Sequence, residues 1–239
     1  MQRYFIDKFQ LNNNIIEITN SDVHHIKNVM RMKTGDNVYC CDEDKVYLCK
    51  INEISDIITL EVIEVISSNS ELDIEVSVAQ GLVRREKTEE VIRRLTELGC
   101  YKYIPVMMRR SIVKAKDDKS DRYNRIIKEA SEQSQRNKLM IVNDILSFKD
   151  FIKLKNDYDL LLYAHVSEEK NSFKNIVNDF KGKKILILVG PEGGYDPVEV
   201  ELLDKNGFKR ISLGERILRT ETAPLYIMSV LSYEFGEEK

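Results

Sequence analysis

Two segments in the C-terminal third carry the residue types that could do chemistry. The first is GPEGG, Gly190–Gly194, directly after the apolar run ILILV. Glycines let a backbone approach a ligand closely and adopt positive φ. Pro191 stiffens the turn, and Glu192 puts one carboxylate into it. The spacing is neither G-x-G-x-x-G nor G-x-x-x-x-G-K-[ST], so it is not a dinucleotide or P-loop fingerprint. An acidic loop is a poor phosphate cradle and suits a ligand with positive charge or hydrogen-bond donors. A bare Gly-rich pentapeptide is more often only a structural turn. The second segment is LGERILRTETA, Leu213–Ala223, which supplies Arg216 and Arg219 as cations and Glu215 and Glu221 as carboxylates. Thr220 or Thr222 can cap the helix that follows. Salt bridges to the loop glutamates would account for the arginines alone. Two polar loops at neighbouring strand ends could instead form one pocket.

A third segment, EASEQSQRNK at Glu129–Lys138, ends a basic helix. Gln133 and Arg136 are spaced i, i+3 there, which would place them on one helical face toward a polyanion or the pocket. Arg109–Arg110 and the run Arg84–Lys87 add positive charge. The histidines are weak signals. His24 and His25 sit in a short N-terminal helix, His165 closes a strand, and a lone histidine is more often structural.

The elements that must position these segments fall into two sets. Residues 3–9, 15–18, 37–42, 45–51 and 58–66 read as short strands, with a helix over 22–32 capped by Ser21. That predicts a small β-barrel domain over residues 1–70, ending in the polar linker SSNSEL at 67–72. Beyond it, strands at 74–82, 102–107, 159–166, 184–189 and 208–213 alternate with helices at 88–99, 120–136, 147–154, 172–180, 197–207 and 220–235. Such alternation predicts an α/β domain over residues 71–239 with a largely parallel sheet. The final helix is apolar on most sides, which suits burial in the core or partial cover by a second subunit.

Composition narrows the class further. The 239 residues are 42% hydrophobic and 32% charged, within the globular range. No apolar run is long enough to cross a bilayer, and MQRYFIDKF lacks the apolar stretch of a signal peptide. Cys40, Cys41, Cys49 and Cys100 form no CxxC pair, so packed thiols in a reducing cytosol are expected, with neither disulfides nor a metal site. The net charge of −3 conceals a division along the chain. Residues 84–138 carry 16 Lys and Arg against 9 Asp and Glu, a net +7, while residues 1–83 carry 7 against 14, a net −7. A basic stretch in an acidic protein is a candidate polyanion surface, although a solvated helix face is the commoner cause.

Taken in series, RYFI, HIKNVMRMKTGD, KTEEVIRRLTELG, EASEQSQR, GPEGG and LGERILRTETA closely resemble the RsmE family, the 16S ribosomal RNA (uracil-N3-)methyltransferases of the SPOUT class. The resemblance covers nearly the whole chain. It implies a PUA-like β-barrel, then a SPOUT α/β domain with a C-terminal trefoil knot. It also implies a cytoplasmic homodimer that uses S-adenosylmethionine and no metal on 16S ribosomal RNA or the small ribosomal subunit. Carried over residue by residue, the donor pocket would use Leu162, Gly190, Pro191, Glu192, Gly193, Gly194, Leu213, Gly214, Ile217, Leu218 and Thr222. Arg219 would face the negative charge that develops on the ring oxygens of the target base, and Glu221 would be the base that removes its proton or would only orient Arg219. Arg3, His25, Arg31, Lys87, Arg110, Gln133 and Arg136 would contact RNA. The sequence departs from the family pattern at Tyr123, Met140 and Arg94. A SPOUT enzyme acting on ribose 2′-oxygen or on another base is the nearest alternative, and a non-catalytic RNA-binding protein is the alternative of a different class.

Overall fold

The computed structural model describes residues 1–19, 21–67, 70–113, 120–166 and 173–236. Ser68 and Asn69 of the expected linker, and Ser172 at the start of one expected helix, lie outside the described residues. The chain divides into two compact units. One comprises Met1–Glu71 with Ser131–Leu139, and the other Leu72–Ala130 with Met140–Lys239.

The first unit contains β1 (Arg3–Phe5), β2 (Leu11–Asn12), β3 (Ile15–Ile18), α1 (Asp22–His24), β4 (Asn37–Cys41), β5 (Val46–Ile54) and β6 (Ile58–Ile66). Its strands form one sheet in the order β1-β4-β5-β6-β3-β2, antiparallel except for the β1–β4 pair. Tyr4 from β1 and Ile16 and Ile18 from β3 share one buried cluster with Val38, Ile51 and Leu60. Residues near both edges of the sheet therefore face the same core, which requires the sheet to curl. Register shifts in the β5–β6 ladder at Leu48/Cys49 and Ile51/Glu53 supply the bend. The helix expected over 22–32 is shorter. After α1 the chain widens into a π-helical turn, His25–Val29, and Arg31 at φ +52° reverses it.

Residues 131–139 join this unit through charge. Arg136 pairs with Glu71 at 2.5 Å, and the same carboxylate accepts from the backbone N–H groups of Asn137 and Lys138. Arg3 donates to the Arg136 carbonyl at 2.8 Å and to Asn137 Oδ1 at 2.6 Å. Both arginines are buried. Removing the Glu71 carboxylate would take this ion pair and two backbone acceptor contacts from a buried site, at a cost of about 3–5 kcal/mol.

The second unit contains β7 (Glu75–Gly81), α2 (Arg85–Glu97), β8 (Lys102–Met107), α3 (Ser120–Gln133) as far as Ala130, β9 (Ile141–Val142), β10 (Leu146–Ser147), α4 (Phe148–Lys153), β11 (Leu160–Ala164), α5 (Phe173–Asp179), β12 (Lys184–Val189), α6 (Pro197–Lys205), β13 (Lys209–Ile211) and α7 (Thr222–Phe235). The sheet is parallel throughout, in the order β10-β8-β7-β12-β11-β13 with β9 beside β8. Side chains alternate between its faces. Ala79, Ile104, Leu186 and Leu188 pack with Phe151 of α4 and Leu203 of α6. On the other side α2 packs against α7. Val91, Ile92 and Leu95 of α2 are buried, as their helical spacing predicts, and Ile227, Met228 and Leu231 of α7 are buried while Tyr226 and Tyr233 are exposed. All four cysteines are buried free thiols. No helix among the described residues is long and apolar enough to cross a membrane.

Candidate active site

Because the sheet is parallel, the segments that follow β11, β12 and β13 leave from one edge, where open α/β sheets bind ligands. The strand KILILV is buried from Ile185 to Val189 and delivers the chain into Gly190. A turn closes from the Gly194 N–H to the Pro191 carbonyl at 2.9 Å, with Gly194 at φ +68°, a conformation that disfavours any side chain. The far end of the loop is anchored in α6. Asp196 and Glu199 form a reciprocal capping box, and Pro197 occupies the first turn. Buried Glu199 also accepts from the Arg109 backbone N–H at 2.7 Å.

The second loop runs from Ser212 to Glu221, between β13 and α7. Neither threonine caps α7, contrary to the sequence expectation. Glu221 is the N-cap residue without a side-chain cap bond, and the Thr220 hydroxyl donates to the Gly190 carbonyl at 2.7 Å. The two loops are thus joined directly. Lys87, at the start of α2, sits between their carboxylates. Its Nζ is 2.7 Å from Glu192 and 3.1 Å from Glu221. The Lys87 pKa is raised by these partners, Glu192 first. For Glu221, burial pushes the carboxyl pKa up, but donation from its own backbone N–H and from Lys87 outweighs this and leaves it below the ordinary value. Glu221 is therefore ionised at neutral pH. Arg219 Nη1 lies 4.0 Å from Glu221, with its side chain 83% exposed.

These loops wall a cleft of about 1290 Å³. Gly190, Pro191, Glu192, Gly194, Leu213, Gly214, Ile217 and Leu218 line it, together with Arg219, Glu221 and Lys87. Three expected pocket residues do not. Leu162 is fully buried in the middle of β11. Gly193 backs onto Arg110, whose carbonyl a Cβ would approach to 2.8 Å. Thr222 begins α7 outside the lining. The cleft also takes Val177 and Asn178 of α5 and Tyr226 and Tyr233 of α7, which no local motif announced. His165 lines it as well. Among the described residues its Nδ1 is buried with no hydrogen bond of good geometry, and its ring packs edge-on to Tyr163 and tilted against Tyr195. Burial, then the nearby Arg210 charge, lowers its pKa, so the ring is neutral near pH 7.

The residues expected to contact RNA are dispersed. Lys87 belongs to the cleft. Arg110 and Gln133 are exposed in their own surroundings, and Arg31 is exposed in the first unit. His25 Nδ1 lies 3.1 Å from the Tyr4 hydroxyl, so this histidine packs within the first unit. Arg3 and Arg136, expected at the RNA, are placed with buried side chains in the first unit, Arg3 hydrogen-bonded to the Arg136 carbonyl and Asn137, and Arg136 paired with Glu71. Gln133 and Arg136 do not share a helical face either. α3 ends at Gln133, and Gln135 at φ +60° turns the chain away.

A family model described as the RNA methyltransferase domain matches residues 70–232, and one described as the RNA methyltransferase PUA domain matches residues 18–63. The chain is 42% identical to the ribosomal RNA small subunit methyltransferase E of Bacillus subtilis, over 98% of this chain and 97% of that protein. The chain belongs to the ribosomal RNA small subunit methyltransferase E family. A member from Mesomycoplasma hyopneumoniae is 30% identical over 96% of this chain and 98% of its own. The solved structure of the methyltransferase E from Neisseria gonorrhoeae bound to S-adenosyl methionine superposes with a TM-score of 0.86 at 25% identity, covering 98% of this chain and 97% of that one. A putative methyltransferase from Legionella pneumophila with bound SAM gives 0.85 at 25% identity, over 97% and 96%. The fold of this methyltransferase E member is thus a PUA domain and an α/β domain akin to those of the solved methyltransferases.

Proposed function

We propose that this protein transfers a methyl group from S-adenosylmethionine to N3 of a uridine in 16S ribosomal RNA, acting as a homodimer on the RNA or the small ribosomal subunit. The observation that carries the reading is the union of the two glutamate-bearing loops, Thr220 bonded to Gly190, around a cleft at the carboxyl edge of the sheet. The cleft fits such a donor. It offers apolar walls, two carboxylates compatible with a sulfonium, and a buried histidine nitrogen with no partner among the described residues, and the sequence has no P-loop. Gly190, Pro191, Glu192, Gly194, Leu213, Gly214, Ile217 and Leu218 would hold the donor. When bound, it supplies an electrophilic methyl on a positively charged sulfur.

Uracil N3 bears a proton and is a poor nucleophile until that proton leaves. Arg219, largely exposed at the cleft, is free to face the negative charge that develops on the ring oxygens. Glu221 is ionised, but its depressed pKa makes it a weak proton acceptor, so its part is to orient Arg219 and Lys87. N3 lies on the base-pairing edge, and the nucleotide must be unpaired or flipped outward to present it. The exposed basic residues Arg31 and Arg110 and the polar Gln133 supply contacts to RNA. Two features support the remaining architecture. β12 lies between β7 and β11, while the chain returns through residues 212–221 to place α7 on α2, an order compatible with a trefoil-knotted connection. Tyr226 and Tyr233 of α7 are exposed, which suits cover by a second subunit.

The test is nucleoside mass spectrometry of small-subunit RNA from cells with and without the gene, with methylation restored in vitro by the pure protein and donor. Loss of N3-methyluridine is expected. Loss of a ribose-methylated nucleoside in its place would overturn the assignment.

A further inference from the structure

We propose that Gln80 is a positioning residue for the cleft, its buried amide clamping the Ser212–Glu221 loop onto the Gly190–Gly194 loop so that the pocket keeps its donor-binding shape, given the reading of the cleft as the donor site. Gln80 stands in β7 within the run VSVAQGL and is fully buried. A buried amide is costly unless its polar atoms find partners. Here they do. The Tyr103 hydroxyl donates to Gln80 Oε1 at 2.8 Å. Gln80 Nε2 donates to the Thr220 carbonyl at 2.7 Å and lies 3.2 Å from the Thr220 hydroxyl. That hydroxyl in turn donates to the Gly190 carbonyl. One chain of hydrogen bonds therefore runs from β8 through β7 and the second loop to the first.

The next residue seats the other loop. A Cβ on Gly81 would fall 2.4 Å from Pro191 Cδ and 2.6 Å from Pro191 N, so only glycine lets Pro191 lie against the end of β7. At one strand end, a side chain holds one cleft loop and the lack of a side chain receives the other. An apolar residue at position 80 would fill the space equally well. What it could not do is fix the Thr220 carbonyl, and with it the neighbouring Arg219 and Glu221 that line the cleft.

The experiment measures calorimetric affinity for S-adenosylmethionine on folded protein, well below each variant's melting temperature, for wild type, Gln80→Met, Gln80→Glu and Tyr103→Phe. Gln80→Met is expected to bind the donor about tenfold more weakly, and Tyr103→Phe to melt lower yet stay within about threefold of wild type. Gln80→Glu, whose buried carboxyl remains protonated and keeps a donor for Thr220, is expected to regain most of the affinity. Should Gln80→Met fail to fold, Gln80→Asn keeps an amide that is one methylene too short to reach Thr220, and carries the same expectation. A folded Gln80→Met or Gln80→Asn protein that melts lower but binds donor like wild type overturns the role of Gln80 alone. A wild-type protein that binds no donor overturns the cleft reading, and this inference with it.

Discussion

Thr220 and Gly190, thirty residues apart, are joined by a 2.7 Å hydrogen bond from the threonine hydroxyl to the glycine carbonyl. Neither group takes part in a strand ladder or a helix cap. The bond holds together two turns that secondary structure alone would leave independent.

Thr220→Val removes that donor while keeping the shape. It leaves the Gly190 carbonyl unsatisfied, which costs about 1–3 kcal/mol for a buried group. Thermal melting should show a fall of several degrees, and Thr220→Ser should restore most of it. A valine variant as stable as wild type would mean that the loops are fixed by other contacts.

Lys87 balances Glu192 and Glu221, and its loss should be read in ligand charge. In Lys87→Met the two carboxylates lose the cation that lies between them, with only the exposed Arg219 left at 4.0 Å from Glu221, and a ligand with a positive charge gains relative to one without it. The expected result is a larger ratio of affinities for S-adenosylmethionine over its demethylated product, whose sulfur is a neutral thioether, measured by calorimetry. An unchanged ratio would place the sulfonium away from these carboxylates.

Arg219→Ala should slow methyl transfer by about a hundredfold, the order seen when one group stabilising a developing charge is removed. Donor affinity should change little if the arginine faces the base, as proposed. Glu221→Gln should slow transfer less. It should also leave the rate rising with pH as in wild type, because a proton acceptor held below the ordinary carboxylate range does not limit the reaction near neutrality. A Glu221→Gln protein that loses that pH dependence would restore the glutamate as the base.

Glu89 on α2 bridges Arg122 on α3 and Arg85 one turn away. Arg122 is the larger influence in lowering its carboxyl to a pKa of about 2. A depressed carboxylate pKa gives stability that is complete above the unfolded value and is lost as pH falls through the folded one. The contribution should therefore fade from about pH 5 toward pH 2 and amount to about 1 kcal/mol, since Arg122 is half exposed and solvent screens the pair. Denaturant melts of wild type and Glu89→Gln should differ at pH 7 and converge near pH 2. A constant gap across that range would assign the effect to packing.

Local pattern alone determined most of the elements. The apolar run KILILV, the alternation of ITLEVIEVI and the strand KYIPVM appear with the bounds their sequences imply, because side-chain periodicity and Gly or Pro punctuation act over a few residues. The Gly190–Gly194 turn and the charged Leu213–Ala223 segment were legible for the same reason, and their order along the chain carried the family resemblance. Tertiary structure decided which charges meet. Lys87 looks like part of a basic run until the sheet order brings Glu192 and Glu221 to it. Nothing in the sequence near Arg3 or Arg136 announces that both side chains are buried where residues 131–139 join the first unit. Gln80 could have been noticed as the polar residue in an apolar strand, but its partner Thr220 lies 140 residues away. Spacing encodes what a residue and its near neighbours can form. The partner of a buried polar group depends on which distant strand the fold lays beside it.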